Sequence, residues 1–569
     1  MKRHLSRPTR FLAARFLAAT ASAMILAATA NAKDAPKDAS GPNRPNFLII
    51  VTDDLGFSDI GAFGGEIDTP NLDALALSGL RLTGFHTAPA CSPTRAMLLT
   101  GSDSHRVGLG AMAEVTQANQ RGRPGFEGYL RGDTATLAER LSQSGYRTLY
   151  SGKWHLGVQP TQDPHARGFQ HSFALLQGGH NHFGLEGQRK DRGTSYTENG
   201  VPVAKLPADF YSSDYFGAKL VEQIKSTKGG PDGKKPFFAY LAFTAPHFPL
   251  QAPPQTVAKY KGRYDAGFEI LREQRLRRQR ELGLIDASVQ PHSPVDSPGW
   301  NDLTPEQRRR EAREMEIYAA MVDHVDQAVG RVVSALKETG EFDNTVILFL
   351  ADNGAEGMEL DQAKVAGLNQ VAAAAAQDFE SLGTARSYIS YGRGWAQAAT
   401  APSYRFKTYA TEGGTRAVAF ISGPAVRQPG AIGKAYTHVT DVTPTFLDLA
   451  GVPVEPGRFA GKPVQPIDGL SWTSLLDRGE KVYPADKAIG NELFGSRSLR
   501  QGDWKLVDIG DRKWRLFNVA ADPGETRDLA ASEPEIMAEL LREWDDYAKR
   551  VGVILPEPDI RPNPPLGDE

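Results

Sequence analysis

Four apolar runs in this chain each end in polar, chemistry-bearing residues, and no other feature limits its fold so sharply. Asn46–Thr52 (NFLIIVT) leads into Asp53-Asp54, and Tyr146–Tyr150 (YRTLY) into Ser151-Gly152-Lys153-Trp154-His155. Phe237–Phe243 (FFAYLAF) leads into Thr244-Ala245-Pro246-His247, and Thr345–Leu350 (TVILFL) through Ala351 into Asp352-Asn353-Gly354. A continuous apolar run is the pattern of a strand buried on both faces of a sheet. Ala417–Ile421 is a fifth such run. Helical patterns lie between them. Thr304-Pro305-Glu306-Gln307 is a capping box with Pro at the first helical position. The helix it opens carries Ile317, Met321, Val325, Val329, Val332, Val333 and Leu336 on one face and stops near Gly340. Strands alternating with helices predict an α/β fold, a large and mostly parallel sheet flanked by helices. In such sheets ligands bind at the carboxyl ends of the strands, where these polar clusters sit.

The texture changes after about residue 475. Ser498–Ile509 and Trp514–Asn518 read as short strands, and Pro534–Arg550 as an amphipathic terminal helix. The expected organisation is a catalytic domain over 46–475 and a small C-terminal domain over 476–569, with an antiparallel sheet and a terminal helix. Leu271–Arg280 and Arg308–Glu316 are rich in Arg and Glu, and their interleaved acids read as solvated helix faces. Ala372–Ala376 reads as helix.

Residues 1–32 hold five basic residues and no acid, an apolar stretch Phe16–Ala30, and a small-x-small pattern at Ala30-Asn31-Ala32. This is the pattern of a cleaved secretory signal peptide, so export to the periplasm or beyond is expected. Residues 33–45 read as a loose leader. No later stretch is long and apolar enough to span a bilayer. Without 1–32 the formal charge moves from −3 to −8. An acidic chain is poorly suited to nucleic acid, whose phosphates demand clustered Lys and Arg. A single Cys excludes an intrachain disulfide and a multi-Cys metal site.

An Asp pair after a strand is, taken alone, more often a turn or a helix cap. Set beside Asp352-Asn353 at another strand end, Asp53 and Asp54 read differently. Three carboxylates and an amide oxygen cannot share a small site without a cation. Hard oxygen ligands select Ca²⁺ or Mg²⁺ over Zn²⁺. The spread-out oxygen set and the extracytoplasmic setting favour Ca²⁺. Ser92-Pro93 starts a helix that Ala96–Leu99 continues, so Cys91 falls just before a helix N-terminus, where an anion is favoured. Arg95 lies one turn on and can fork onto oxyanions. These residues alone would offer a thiolate nucleophile. His155 and His247, taken singly, read as surface or satisfied core histidines, and Lys407 as a solvated lysine. Lys153 and His155 alternate on an extended segment, so both reach one site only if Trp154 points away. Tyr388, Tyr391 and Trp395 read either as an aryl pocket or as packing.

Cys91-Ser92-Pro93-Thr94-Arg95 followed by Leu99-Thr100-Gly101 resembles the sulfatase signature C-x-P-x-R. The resemblance continues in the family's order through Asp53-Asp54-Leu55-Gly56, Gly152-Lys153-Trp154-His155-Leu156-Gly157, Pro246-His247, Asp352-Asn353-Gly354 and Glu412-Gly413-Gly414-Thr415-Arg416. It extends to Thr440–Thr445 and Ala521–Glu525, and Tyr391–Lys407 resembles the bacterial arylsulfatase branch. It implies an alkaline-phosphatase-like sheet and hydrolysis of small-molecule sulfate esters, aryl sulfates foremost. It implies a Cα-formylglycine made from Cys91 by a maturation enzyme, its hydrated aldehyde being the nucleophile and its hydroxyl a ligand of the cation. One Ca²⁺ would be held by Asp53, Asp54, Asp352 and Asn353. Arg95 would stabilise the hydroxyl form, and Lys153 and Lys407 would hold sulfate oxygens. His247 would protonate the leaving group as a covalent sulfo-enzyme forms, and His155 would deprotonate the second hydroxyl to expel sulfate. Two other readings compete: a phosphonate monoester or phosphodiester hydrolase on the same fold, and a non-catalytic binder of sulfated glycans with Cys91 left as a thiol.

Overall fold

The computed structural model describes residues 44–185, 196–230, 232–360 and 368–557. The expected signal peptide, the leader up to residue 43 and the last twelve residues lie outside them. Five strands form the centre of the main sheet: β1 (Asn46–Asp53), β2 (Arg147–Lys153), β3 (His171–Leu175), β4 (Phe237–Pro246) and β5 (Thr345–Ala351). They are all parallel, in the order β5-β1-β4-β2-β3. Every residue of β1, β2, β4 and β5 is buried, which is why their sequences read as unbroken apolar runs. Phe47 to Val51 are fully inaccessible, so truncating Ile49 to Ala would cost about 2–5 kcal/mol.

The outer strands depart from the parallel rule. Ala419–Ser422 runs antiparallel to β5 and pairs in turn with Leu80–Leu82, while Tyr196–Glu198 runs antiparallel to β3. The expected strand at 417–421 therefore exists, as an antiparallel strand on one side of the parallel core. Two groups of helices cover the sheet. Pro70–Ser78, Ser212–Lys228 and Pro305–Glu338 form one group, and Cys91–Thr100, Leu137–Gln143 and Val442–Leu449 the other. Thr304 Oγ1 accepts from the Gln307 amide and Gln307 Oε1 accepts from the Thr304 amide, so the predicted capping box opens the 34-residue helix Pro305–Glu338.

Residues from Pro45 onward form one compact unit that includes a second, antiparallel sheet of Ala488–Leu493, Ser496–Gln501, Trp504–Ile509 and Arg515–Asn518. Helix Pro534–Val551 covers it, setting Leu540, Trp544 and Tyr547 against Leu499, Leu506 and Leu516. His105 of the main body bonds Glu492 on this sheet at 3.1 Å, and Tyr547 donates to Asp103 at 2.8 Å. No described helix is long and apolar enough to cross a membrane.

The charge-rich stretch 271–280 corrects one expectation. It is a helix, Phe268–Glu281, but Arg275 is buried rather than solvated. Its guanidinium pairs with Asp59 at 2.5 Å and Glu66 at 2.7 Å, and ion pairing is what allows an Arg inside. Glu314 and Glu316 in the next charge-rich stretch are buried too.

Candidate active site

The ends of β1, β2, β4 and β5 converge, as their sequences predict. Past β1 the chain turns sharply: Asp54 has φ +67, a left-handed conformation that Asp tolerates better than most residues. That turn brings Asp53 and Asp54 to one place. One ligand atom from each of Asp53, Asp54, Cys91 and Asp352 lies within 4.8 Å of all the others. All four residues are buried. Helix Cys91–Thr100 begins at Cys91 itself, with Ala90 as its cap, one residue earlier than the sequence suggests. Its first turn supplies Cys91 Sγ, 3.2 Å from Asp53 Oδ1 and 4.0 Å from Asp54 Oδ1. One turn later Arg95 donates Nε to Asp352 Oδ2 at 2.9 Å and Nη1 to the Lys153 carbonyl at 2.9 Å.

Three cations balance three carboxylates. Lys153 Nζ lies 2.5 Å from Asp53 Oδ2, and Lys407 Nζ lies 2.8 Å from Asp54 Oδ1. His247 Nε2 stands 3.6 Å from Asp54 Oδ2, too far for a hydrogen bond, while its Nδ1 faces the Phe248 carbonyl at 2.5 Å. Trp154 points elsewhere, donating to the Gln162 carbonyl, as the alternation of Lys153 and His155 requires. His155 pairs with a different carboxylate, Glu114. It adopts φ +59, its Nε2 faces Glu114 at 3.3 Å, and its Nδ1 is buried without a hydrogen-bond partner.

Burial works against ionisation throughout, and neighbouring charge opposes or reinforces it from group to group. Asp54 is brought down to about 2 because Lys407 and His247 outweigh its burial. Asp352 is pushed up to about 6 by burial and by Asp53, against Arg95 and Lys153. Burial lowers His247 to about 3, with Asp54 opposing and Lys407 adding to the fall. The Cys91 thiol is held well above its ordinary value by burial and by the Asp53 charge. A helix N-terminus alone would have made it a thiolate; set among carboxylates, it stays protonated.

The donor set fits a hard divalent cation. The acceptors are carboxylate oxygens from two strand ends, and Asn353 completes them. Asn353 Nδ2 donates to Asp54 Oδ1 at 2.7 Å, while its buried Oδ1 has no hydrogen-bond partner. Turning the amide over would aim that orphaned oxygen inward as a ligand.

Sequence reasoning missed Glu356, whose Oε2 lies 2.9 Å from Lys407 Nζ, and Glu114 beside His155. Glu356 follows the Asp352-Asn353-Gly354 motif by two residues, the one signal that could have found it. The glycines of two motifs have a steric reason. A Cβ on Gly354 would fall 1.9 Å from the Gly413 carbonyl oxygen, so only glycine lets these two backbones meet beside the site. Tyr391 and Trp395 are packing: Tyr391 stacks on Tyr318 at 4.3 Å, and Trp395 is enclosed by Tyr264, Phe268 and Trp300. Tyr388 packs edge-on to Phe248, next to His247.

A large sheet with a parallel core, carrying carboxylates, lysines and the Cys91 helix at one edge, is the architecture of the alkaline phosphatase-like superfamily. The chain belongs to the sulfatase family, whose model matches residues 45–452. It is 45% identical to an uncharacterized sulfatase of Schizosaccharomyces pombe over 91% of this chain and 96% of that one. It is 38% identical to the arylsulfatase of Klebsiella aerogenes, covering 80% of this chain and 96% of the relative. Among solved structures it superimposes on Ps i-CgsB in complex with k-i-k-neocarrahexaose with a TM-score of 0.64, at 25% identity over 89% of this chain and 93% of that one. Hydrolysis of sulfate esters is the activity that this membership carries.

Proposed function

We propose that this sulfatase acts on aryl sulfates, with residue 91 in its oxidised Cα-formylglycine form and one Ca²⁺ at the carboxylate cluster. The observation that carries this reading is the gathering of Asp53, Asp54, Asp352 and residue 91 within 4.8 Å, with Lys153 and Lys407 paired to two of those carboxylates. Asp53, Asp54, Asp352 and Asn353 would hold the cation, which supplies Lewis acidity and a template for the sulfate. The oxidised residue 91 supplies an oxygen nucleophile in place of sulfur.

The chain's own side chains do the rest. Lys153 and Lys407 point ammonium groups at the cluster, where they would neutralise the charge that grows on sulfate oxygens in the transition state. Arg95, fixed by Asp352 and the Lys153 carbonyl, holds the first turn of its helix and adds fixed positive charge beside residue 91. His247 keeps its Nδ1 proton on the Phe248 carbonyl, so Nε2 is the atom that would carry a proton to the leaving oxygen. Binding an anionic sulfate beside it favours the protonated ring. His155, oriented by Glu114, would remove the proton whose loss releases sulfate.

Export to the periplasm or beyond, guided by residues 1–32, and conversion of Cys91 by a dedicated maturation enzyme complete the proposal. The arylsulfatase-like segment Tyr391–Lys407 favours aryl sulfates. Mass spectrometry of the peptide containing residue 91 tests the modification, which makes that residue about 18 Da lighter than Cys. Turnover of nitrophenyl sulfate beside its phosphate and phosphonate analogues tests the substrate class. An unmodified Cys in an active preparation, or a preference for phosphonate, would overturn the respective part.

A further inference from the structure

A cavity of about 400 Å³ opens where the main body meets the C-terminal sheet, and none of the carboxylate cluster lines it. Its walls bring together Arg416, Lys434, Lys481, Lys487 and Arg500 against three acids, Asp286, Glu412 and Asp503. Two of those acids are already neutralised. Asp286 pairs with Lys434 at 3.0 Å, and Glu412 is held by His86 at 2.9 Å and Lys505 at 2.8 Å. Lys481 and Lys487 carry no ion pair among the described residues, so an excess of positive charge faces the cavity.

Arg416 carries the sharper signal. It is 7% exposed, and its Nε donates to the Thr83 carbonyl at 2.7 Å. Its Nη1 is buried with no hydrogen-bond partner, its guanidinium lying 4.2 Å over the Phe57 ring. An unpaired donor on a buried charged group costs more than one on a neutral group. Arg500 shares the lining with Arg416, its guanidinium stacked 4.4 Å over the Tyr436 ring and its Nε donating to the Gly502 carbonyl at 3.1 Å. The guanidinium nitrogens that these bonds leave free can donate to the oxygens of a sulfate, phosphate or carboxylate group. The space is far larger than one inorganic ion, is in the range of small-molecule sites, and includes Leu284, Ile285 and Val519.

We infer that this junction cavity binds a small organic oxyanion, its charged group on Arg416 and Arg500 and its apolar body along Leu284, Ile285 and Val519. Lys481 and Lys487 at the exposed end draw the anion in. The site is independent of the reaction: its ligand need not be the sulfate ester that is hydrolysed.

Calorimetric titration of the full-length protein with benzenesulfonate, benzoate and inorganic sulfate tests it. Arg416→Gln risks the fold because its Nε holds Thr83, so Arg500→Ala and the double variant Lys481→Glu, Lys487→Glu serve instead. We expect Arg500→Ala to weaken benzenesulfonate binding about tenfold and the rim variant about threefold, as loss of a charge-assisted fork and of a screened surface charge predict. Steady-state hydrolysis of nitrophenyl sulfate should stay within about twofold in both. Benzoate should show the same dependence on Arg500, and its failure to bind overturns the assignment to organic oxyanions at large. Benzenesulfonate affinity unchanged in both variants overturns the site. Inorganic sulfate binding there as tightly as benzenesulfonate overturns the apolar part of the assignment.

Discussion

Glu356 Oε2 lies 2.9 Å from Lys407 Nζ, and each side chain is only 5% exposed. Lys407 is thus held by Asp54 and Glu356 together, and Glu356 fixes where its charge sits. Glu356→Gln keeps the shape and removes the charge. It should lower kcat/KM roughly 10- to 100-fold, the usual cost of loosening a catalytic group by a fraction of an ångström to one ångström. Steady-state kinetics on the folded variant checks this, and activity within twofold of wild type would sink it.

The two histidines should separate by kinetic phase. If its proton transfer belongs to the release of sulfate, as proposed, His155→Ala should still release about one equivalent of phenol in a burst and then turn over slowly. His247→Ala should instead slow the first step, most for sulfates of poor leaving groups, since a nitrophenolate needs little protonation. Rapid-quench kinetics with a nitrophenyl and a plain phenyl sulfate decides the matter. Absence of a burst for the first variant, with equal losses on both substrates for the second, reverses the assignment.

Chelation should cost activity and thermal stability together. A cation that binds only the folded chain stabilises it by RT ln(1 + [L]/Kd), about 2.7 kcal/mol at a hundredfold excess over Kd. Calorimetric scans and assays after exhaustive chelation, then after Ca²⁺ or Mg²⁺ return, read both. Unchanged Tm with full activity would remove the metal from the account.

Away from the carboxylate cluster, His105 sets a pH dependence of stability. Burial disfavours its charge, but Asp103 and Glu492 outweigh that and raise it to about 9. An unfolded histidine titrates near 6.5. The charged ring therefore stabilises the fold fully below about pH 6.5, and that stabilisation is lost as pH rises through about 9. A shift of this size is worth about 3 kcal/mol. Urea unfolding from pH 6.5 to 9.5 should show the decline, and His105→Gln should lower stability and flatten the slope.

Arg275→Ala should destabilise by about 3–5 kcal/mol, since it leaves Asp59 buried without its cation. Asp59 also accepts from the Gly56 amide at 2.7 Å and from Tyr318 at 2.6 Å, so it braces the turn that presents Asp54. The loss should therefore be accompanied by weaker metal retention, measurable by metal analysis after dialysis. A surface-like loss under 1 kcal/mol would contradict the bracing.

How much was legible in the sequence followed from distance along the chain. β1 and its parallel neighbours announced themselves because burial on both faces leaves no polar positions, and their carboxyl ends displayed Asp53, Asp54, Lys153, His247, Asp352 and Asn353 in the open. Arg275 looked solvated because its partner Asp59 is 216 residues away and the acids beside it in sequence are the wrong ones. Glu114 lay beyond reach, and Glu356 showed only its place near the Asp352 motif, for a related reason: a carboxylate acquires a role only from the His155 or Lys407 that folding sets against it. Tyr391 and Trp395 could be assigned to packing only once Tyr318 and Trp300 were in place.

The burial of Cys91 sets an order of events. At 1% exposure its side chain is closed to any other enzyme once the sheet is assembled. Arg95, one turn away, finds its partner Asp352 only after 257 further residues. At roughly 5–20 residues per second of synthesis, that separation amounts to roughly 10–50 s during which residue 91 has left the ribosome and β5 does not yet exist. If Cys91 is oxidised as proposed, that chemistry would have to fit inside the interval or act on a chain kept unfolded. Slower folding would lengthen the opportunity, and a variant that closes its core early would emerge well folded and inert.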